Sequence, residues 1–226
     1  MSVAEQNQEG DTLVLHEIYI VELREHALVL IWLGYQRIWQ ADFSAAEEDD
    51  ITGELTRHMD EIIQAEDAPP WAEHYTVKEQ IRSHTPEKLG KRRPIVDVEF
   101  ERHKRGIRPR LRFEAKRLGR GSGVSDYLGS EGLGAFLDCY YSRTHSEAGM
   151  LGYIQSGTED EWAAKLASRL TSTRHRIITG GAWKPLHIVG GPPQVYRTMH
   201  LDKDGIDIAI LHVLLRFCSP THVETQ

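Results

Sequence analysis

The sequence predicts an α/β fold, a central mixed β-sheet flanked by helices, on three grounds. Residues 94–102 and 110–118 each alternate apolar and polar side chains, and a short loop holding Gly106 and Pro109 joins them. Two such runs make a β-hairpin. Segments with apolar residues at three- and four-residue spacing precede and follow it, and the C-terminal third adds further apolar runs of strand length. Interleaved helical and strand patterns place helices on either side of a mixed sheet, with the hairpin near its middle.

Residues 1–11 are polar and acidic and are expected to form a flexible leader. Residues 12–21 suit a strand or the lead-in to a helix. Residues 23–40 follow as a helix whose apolar face carries Leu23, Ala27, Leu30, Ile31, Gly34 and Ile38. Ser44 with Glu47 has the spacing of a capping box, so a second helix should start near Ala45 and end before Pro69-Pro70. The stretch 71–93 is polar and irregular, with a helical turn expected around 77–81. After the hairpin, residues 120–124 form a flexible link, 132–142 a helix, 150–155 a short strand and 160–172 another helix. Candidate strands close the chain at 185–189, 195–201 and 206–217.

The bulk composition is that of a soluble globular protein. Two cysteines, Cys139 and Cys218, are too few for a disulfide framework and suit a reducing, cytoplasmic setting. No signal peptide is expected, and the apolar window 27–34 is far short of the ~20 residues that a membrane span requires. Net charge is −7, yet residues 88–120 hold 13 Lys and Arg against 4 Asp and Glu. That segment therefore carries +9 (13 − 4) and the rest of the chain −16 (−7 − 9). A polyanion would be drawn to one face and repelled elsewhere. Arg92, Arg93, Lys104, Arg105, Arg108, Arg110 and Arg117 are candidate phosphate contacts.

Within the hairpin, Asp97 and Glu99 share one side of the first strand, and Glu114 and Lys116 share one side of the second. Carboxylates facing each other across ~4.8 Å repel unless a cation lies between them. Oxygen ligands of this kind suit a hard divalent ion such as Mg2+ or Mn2+, and Lys116 is placed to orient a water or to neutralise charge on a phosphate. Glu99 is either a further ligand or supporting group of that ion or an edge charge paired with Arg112, and the alternative for the whole trio is a salt-bridged ladder on a solvent-facing hairpin. The histidines form no His-x-x-x-His pattern, and His212 interrupts an apolar run as a hydrogen-bonded core residue would. Gly180-Gly181 and Gly190-Gly191 are turn residues that lack the Lys-Ser/Thr of a phosphate loop, and Cys139 fits a core position.

Asp97, followed seventeen residues later by Glu114-Ala115-Lys116, resembles the PD-(D/E)XK nuclease superfamily. The resemblance spans residues 45–156; Val96 stands where the family often has Pro. It implies a restriction-endonuclease-like core over residues 12–175, with 176–226 as a C-terminal extension of the same domain. It implies a Mg2+ (or Mn2+) site held by Asp97 and Glu114, completed by an upstream helix carboxylate, Glu48 with Glu47 next, and served by Lys116. The expected activity is endonucleolytic hydrolysis of DNA more than RNA, by analogy in bacterial antiviral defence or restriction, by a homodimer with no membrane partner. The alternatives are a catalytically silent nucleic-acid-binding or complex-assembly subunit, and an effector nuclease switched on by a protein partner.

Overall fold

The computed structural model of the chain describes residues 3–82, 91, 93–103, 108–119, 121, 123–138, 146–173, 177–178 and 181–218, with the backbone alone for 3–17. Helices α1 (Val3–Ile38) and α2 (Glu48–Gln64) precede strands β1 (Tyr75–Arg82), β2 (Ile95–Arg102) and β3 (Arg110–Leu118). Short helices α3 (Val124–Leu128) and α4 (Leu133–Leu137) lead to β4 (Glu147–Ile154), then α5 (Glu159–Thr173), β5 (Lys184–Pro185), β6 (Val195–Leu201) and β7 (Asp207–Arg216). The strands form one seven-stranded mixed sheet in the order β1-β2-β3-β4-β7-β6-β5. β3–β4 and β4–β7 pair in parallel, and the other pairs are antiparallel. The α/β class read from the sequence is the class observed.

Each face of the sheet is covered. On one, Leu28 and Ile31 of α1 and Leu55 and Met59 of α2 pack on Val98, Phe113, Leu151 and Val213. On the other, Tyr127, Phe136 and Leu166 pack on Leu118, Met150 and Ile210. Fully burying such side chains stabilises by about 1.5–3 kcal/mol each. β4 and β7 lie at the centre with both faces covered, which is why they read as continuous apolar runs. Gly34 lets α1 and α2 approach closely, because a Cβ there would stand 2.8 Å from Met59 Cγ.

Several local expectations change. Helix α1 begins at Val3, so the leader expected over residues 1–11 is helical from that point; Glu, Gln and Ala favour a helix however polar the segment is. No Ser44–Glu47 capping box forms. Ser44 Oγ donates to Asp42 at 2.6 Å, and α2 starts at Glu48, with Glu47 as its N-cap and no side-chain cap bond. The irregular 71–93 stretch contains a 3-10 turn at Ala72–His74 and then β1, where a helical turn was expected. The helix expected over 132–142 is α4 alone in its described part, closed by the Asp138 N–H on Gly134 O. The strand expected at 185–189 is reduced to Lys184–Pro185, since the chain turns at Gly190 (φ 72°) and leaves Val189 exposed.

Candidate active site

β2 and β3 pair only from Glu101↔Arg110 to Val98↔Phe113. Beyond that point β2 stays with β1 while β3 continues along β4, so the two strands fork. Asp97 stands in the fork. Its Oδ2 accepts a hydrogen bond from the Ala115 N–H at 2.7 Å, and its carboxyl shares a hydrogen bond with that of Glu114. Glu114 is 6% exposed.

α2 brings the third carboxyl. Glu48, its first residue, accepts from Lys116 Nζ at 2.9 Å through Oε1 and from the Arg117 N–H at 3.1 Å through Oε2. Lys116 Nζ also donates to Glu114 at 3.3 Å. An acidic residue in the first turn of a helix is favoured by the helix dipole. The four residues singled out in the sequence, Glu48, Asp97, Glu114 and Lys116, thus form one hydrogen-bonded cluster.

Burial sets the electrostatics. It pushes the Asp97 carboxyl above the usual carboxylate range, although the Ala115 N–H and Lys116 pull the other way. Burial also raises Glu48 against the pull of Lys116. For Lys116 burial acts to lower the pKa, but attraction to Glu114 and Glu48 outweighs it and the ammonium is held more firmly. Beneath the cluster, the Thr52 and Tyr153 hydroxyls are 3.0 Å apart, and burial keeps Tyr153 in its neutral form. Gln155 Nε2 donates to the carbonyls of Phe43 and Ala46, bracing the segment that leads into Glu48. A cleft of about 590 Å³ opens beside the site, walled by Glu47–Asp49, Lys116 and Arg117 on one side and by Ser125, Asp126 and Ser130 on the other. Sequence reasoning missed Thr52, Tyr153, Gln155 and this far wall. Only Thr52 left a signal, one helical turn after Glu48.

Among the described residues, no three His, Cys, Asp or Glu side chains are gathered as a metal-binding group. Asp97 and Glu114 are in contact, whereas Glu48 is turned onto Lys116 and the Arg117 N–H. One or two carboxylates, with water and phosphate oxygens completing the shell, is the usual Mg2+ arrangement, so this donor set fits Mg2+ or Mn2+.

The basic residues of the hairpin are largely engaged by carboxylates. Glu99 pairs with Arg112 at 2.8 Å and lies within 3.8 Å of Arg110, away from the site cluster. Glu101 pairs with Lys78 at 2.8 Å and Arg108 at 3.4 Å, while Arg102 bonds Glu22. Arg117 pairs with Glu47 at 3.0 Å. Arg108 is at the turn end of the hairpin, roughly 17 Å along β2 from Asp97 at the usual strand rise. Arg93 lies two residues before β2, at the Asp97 end. Arg92, Lys104, Arg105 and Cys139 lie outside the described residues. His212 is a fully buried core residue, hydrogen-bonded to Thr198 at 2.8 Å and Tyr127 at 3.1 Å.

No protein-family model, no curated protein and no solved structure matches this chain. No helix among the described residues is long and apolar enough to cross a membrane.

Proposed function

We propose that this protein is a cytoplasmic, Mg2+- or Mn2+-dependent endonuclease that hydrolyses phosphodiester bonds in DNA, in a setting such as restriction or antiviral defence, as a homodimer that cuts both strands. One observation carries the reading: two carboxyls in hydrogen-bond contact, Asp97 and Glu114, stand beside a buried ammonium, Lys116. The order of elements, with α2 before the hairpin and helices then a parallel strand after it, supports the same reading.

In this mechanism Asp97 and Glu114 would hold the divalent ion. When bound, the ion supplies Lewis-acid polarisation of the phosphate and a lowered pKa for coordinated water. Lys116, fixed between Glu48 and Glu114, positions the attacking water and offsets negative charge building on the phosphoryl oxygens. Glu48 holds the ammonium in place and keeps the end of β3 against α2 through the Arg117 N–H. Acidic residues are prominent in the cleft, with Glu47, Asp49, Asp126 and Glu131 beside Lys116 and Arg117. An anionic backbone is therefore admitted mainly in company with divalent cations.

Cleavage of plasmid DNA with Mg2+, for wild type and for Glu114→Ala and Lys116→Ala, tests the proposal. Each substitution should lower the rate by about 10²-fold or more. Wild-type activity that both variants retain would refute the site. A wild-type protein inert on DNA and RNA with either metal would favour the nucleic-acid-binding or assembly subunit. Activity appearing only after a partner is added would identify a partner-gated effector.

A further inference from the structure

β1 runs antiparallel to β2 in a constant register in which Glu79 faces Val98 and Ile81 faces Val96. The position between them, Gln80 opposite Asp97, drops out of the pairing. Gln80 has φ 48°, the one positive φ at a non-glycine among the described residues. That conformation brings Cβ close to the following carbonyl and is disfavoured for a residue like Gln. It falls inside a strand rather than at a turn, and the Gln80 side chain is exposed, so packing does not demand it.

On the other side of β2, the ladder with β3 also stops short of Asp97, at Val98↔Phe113. β2 is thus out of pairing with both neighbours at a single residue, the one whose carboxylate takes the Ala115 N–H. In a continued ladder that N–H would meet the β2 backbone in the plane of the sheet. For the carboxylate to reach it, β2 must swing away from β3 and towards β1, and β1 must give way. The left-handed residue is where β1 does so. Unusual backbone held in place by its surroundings concentrates at functional sites.

We propose that Gln80 is a positioning residue: its left-handed backbone lets β2 swing aside and so holds the Asp97 carboxylate on the Ala115 N–H and against Glu114. Its consequence for metal affinity rests on the reading of Asp97 and Glu114 as metal-holding residues. The geometric claim stands without it.

The test ranks substitutions at Gln80 by tolerance of left-handed backbone, not by side-chain chemistry. Asn and Gly accept it, Ala resists it, and β-branched Val resists it most. The Ala115 amide is followed by its ¹H–¹⁵N position and its exchange with solvent, and Mn2+ affinity by titration. Gln80→Asn and Gln80→Gly should match wild type in both. Gln80→Val, or Gln80→Ala where Val prevents folding, should shift the amide, speed its exchange and weaken Mn2+ binding on the order of 10-fold. A folded Val or Ala variant with an unchanged Ala115 amide overturns the proposal. So does a Gly variant as impaired as Val, because the side chain would then be what matters. A wild-type protein that binds no Mn2+ counts against the metal site alone, since the amide still reports on positioning.

Discussion

Replacing Lys116 with Met keeps an unbranched stem, one atom shorter, but removes the ammonium held between Glu48 and Glu114. The two ion pairs it breaks span 2.9 and 3.3 Å, and the side chains of Lys116, Glu48 and Glu114 are 14%, 27% and 8% exposed. Unit charges 4 Å apart near a protein surface attract by about 4 kcal/mol, so the gross loss is large. Partial exposure screens it, and the variant no longer has to desolvate a lysine. Breaking a buried pair from one side costs about 3–5 kcal/mol, and the lower end applies here, about 3 kcal/mol at pH 8. The cost depends on pH. Glu48 and Asp97 already have raised pKa values through burial, and without Lys116 they rise further. A carboxyl whose folded pKa is raised weakens the fold as pH climbs through the window between its unfolded and folded values; below that window both states are protonated and the penalty vanishes. The gap between variant and wild type should therefore widen from pH 5 to pH 8. Urea unfolding followed by tryptophan fluorescence at several pH values measures it. A loss that is the same at every pH, or below about 1 kcal/mol at pH 8, would refute the account of Lys116 as the counter-charge of the cluster.

Three further outcomes follow from the same geometry. Asp97→Asn keeps an acceptor for the Ala115 N–H but relieves a buried carboxyl of raised pKa, so urea stability at pH 8 should equal or exceed wild type while Mn2+ affinity collapses. A destabilised variant that still binds Mn2+ would contradict this. Gly149→Ala places a Cβ 2.1 Å from the Phe113 ring and should cost about 2 kcal/mol or more in urea unfolding, an effect absent only if β3 and β4 part freely. His212 is held neutral by burial, well below the usual histidine range, so its ring ¹⁵N shifts should stay constant from pH 8 to pH 5. Protonation near pH 6.5 would show that the core around Tyr127 and Thr198 admits solvent.

Where a pattern is local, the sequence carried it through to the structure. Residues 110–118 alternate apolar and polar side chains in sequence and are a strand to the residue, as is the candidate strand at 195–201. The period of α2 was also legible, although its start was not, because Ser44 bonds Asp42 and the backbone enters the helix only at Glu47. β1 was missed for a physical reason. It is an edge strand whose middle, Lys78-Glu79-Gln80, faces solvent in part and breaks conformation at Gln80, so little alternation survives beyond Tyr75 and Val77. That Asp97, Glu114 and Lys116 would lie together was legible from strand alternation, and Glu48 came from the family resemblance; the structure brings all four into one cluster. Tyr153, Gln155 and the Ser125–Ser130 wall were not legible, because they reach the site through the packing of distant elements; Thr52, one turn after Glu48 on α2, left a signal that went unread.

Charge shows most sharply what a linear reading leaves out. A count over residues 88–120 gives +9, but the hairpin register sets Glu99 against Arg112 and Glu101 against Arg110. Glu22 from α1 and Glu47 from the segment before α2 take Arg102 and Arg117. Once pairing is known, part of the segment's excess is an internal ladder whose arginines are committed to carboxylates 2–3% exposed. An exposed pair of this kind is weak, but one with a buried carboxylate resists being opened, because the acid would be left unpaired. Phosphate attraction therefore cannot be read from the net charge of the hairpin. In the proposed nuclease it would come instead from what stands at the fork, the Lys116 ammonium beside the Asp97 and Glu114 carboxyls, and that arrangement depends on how the β2 and β3 ladder ends.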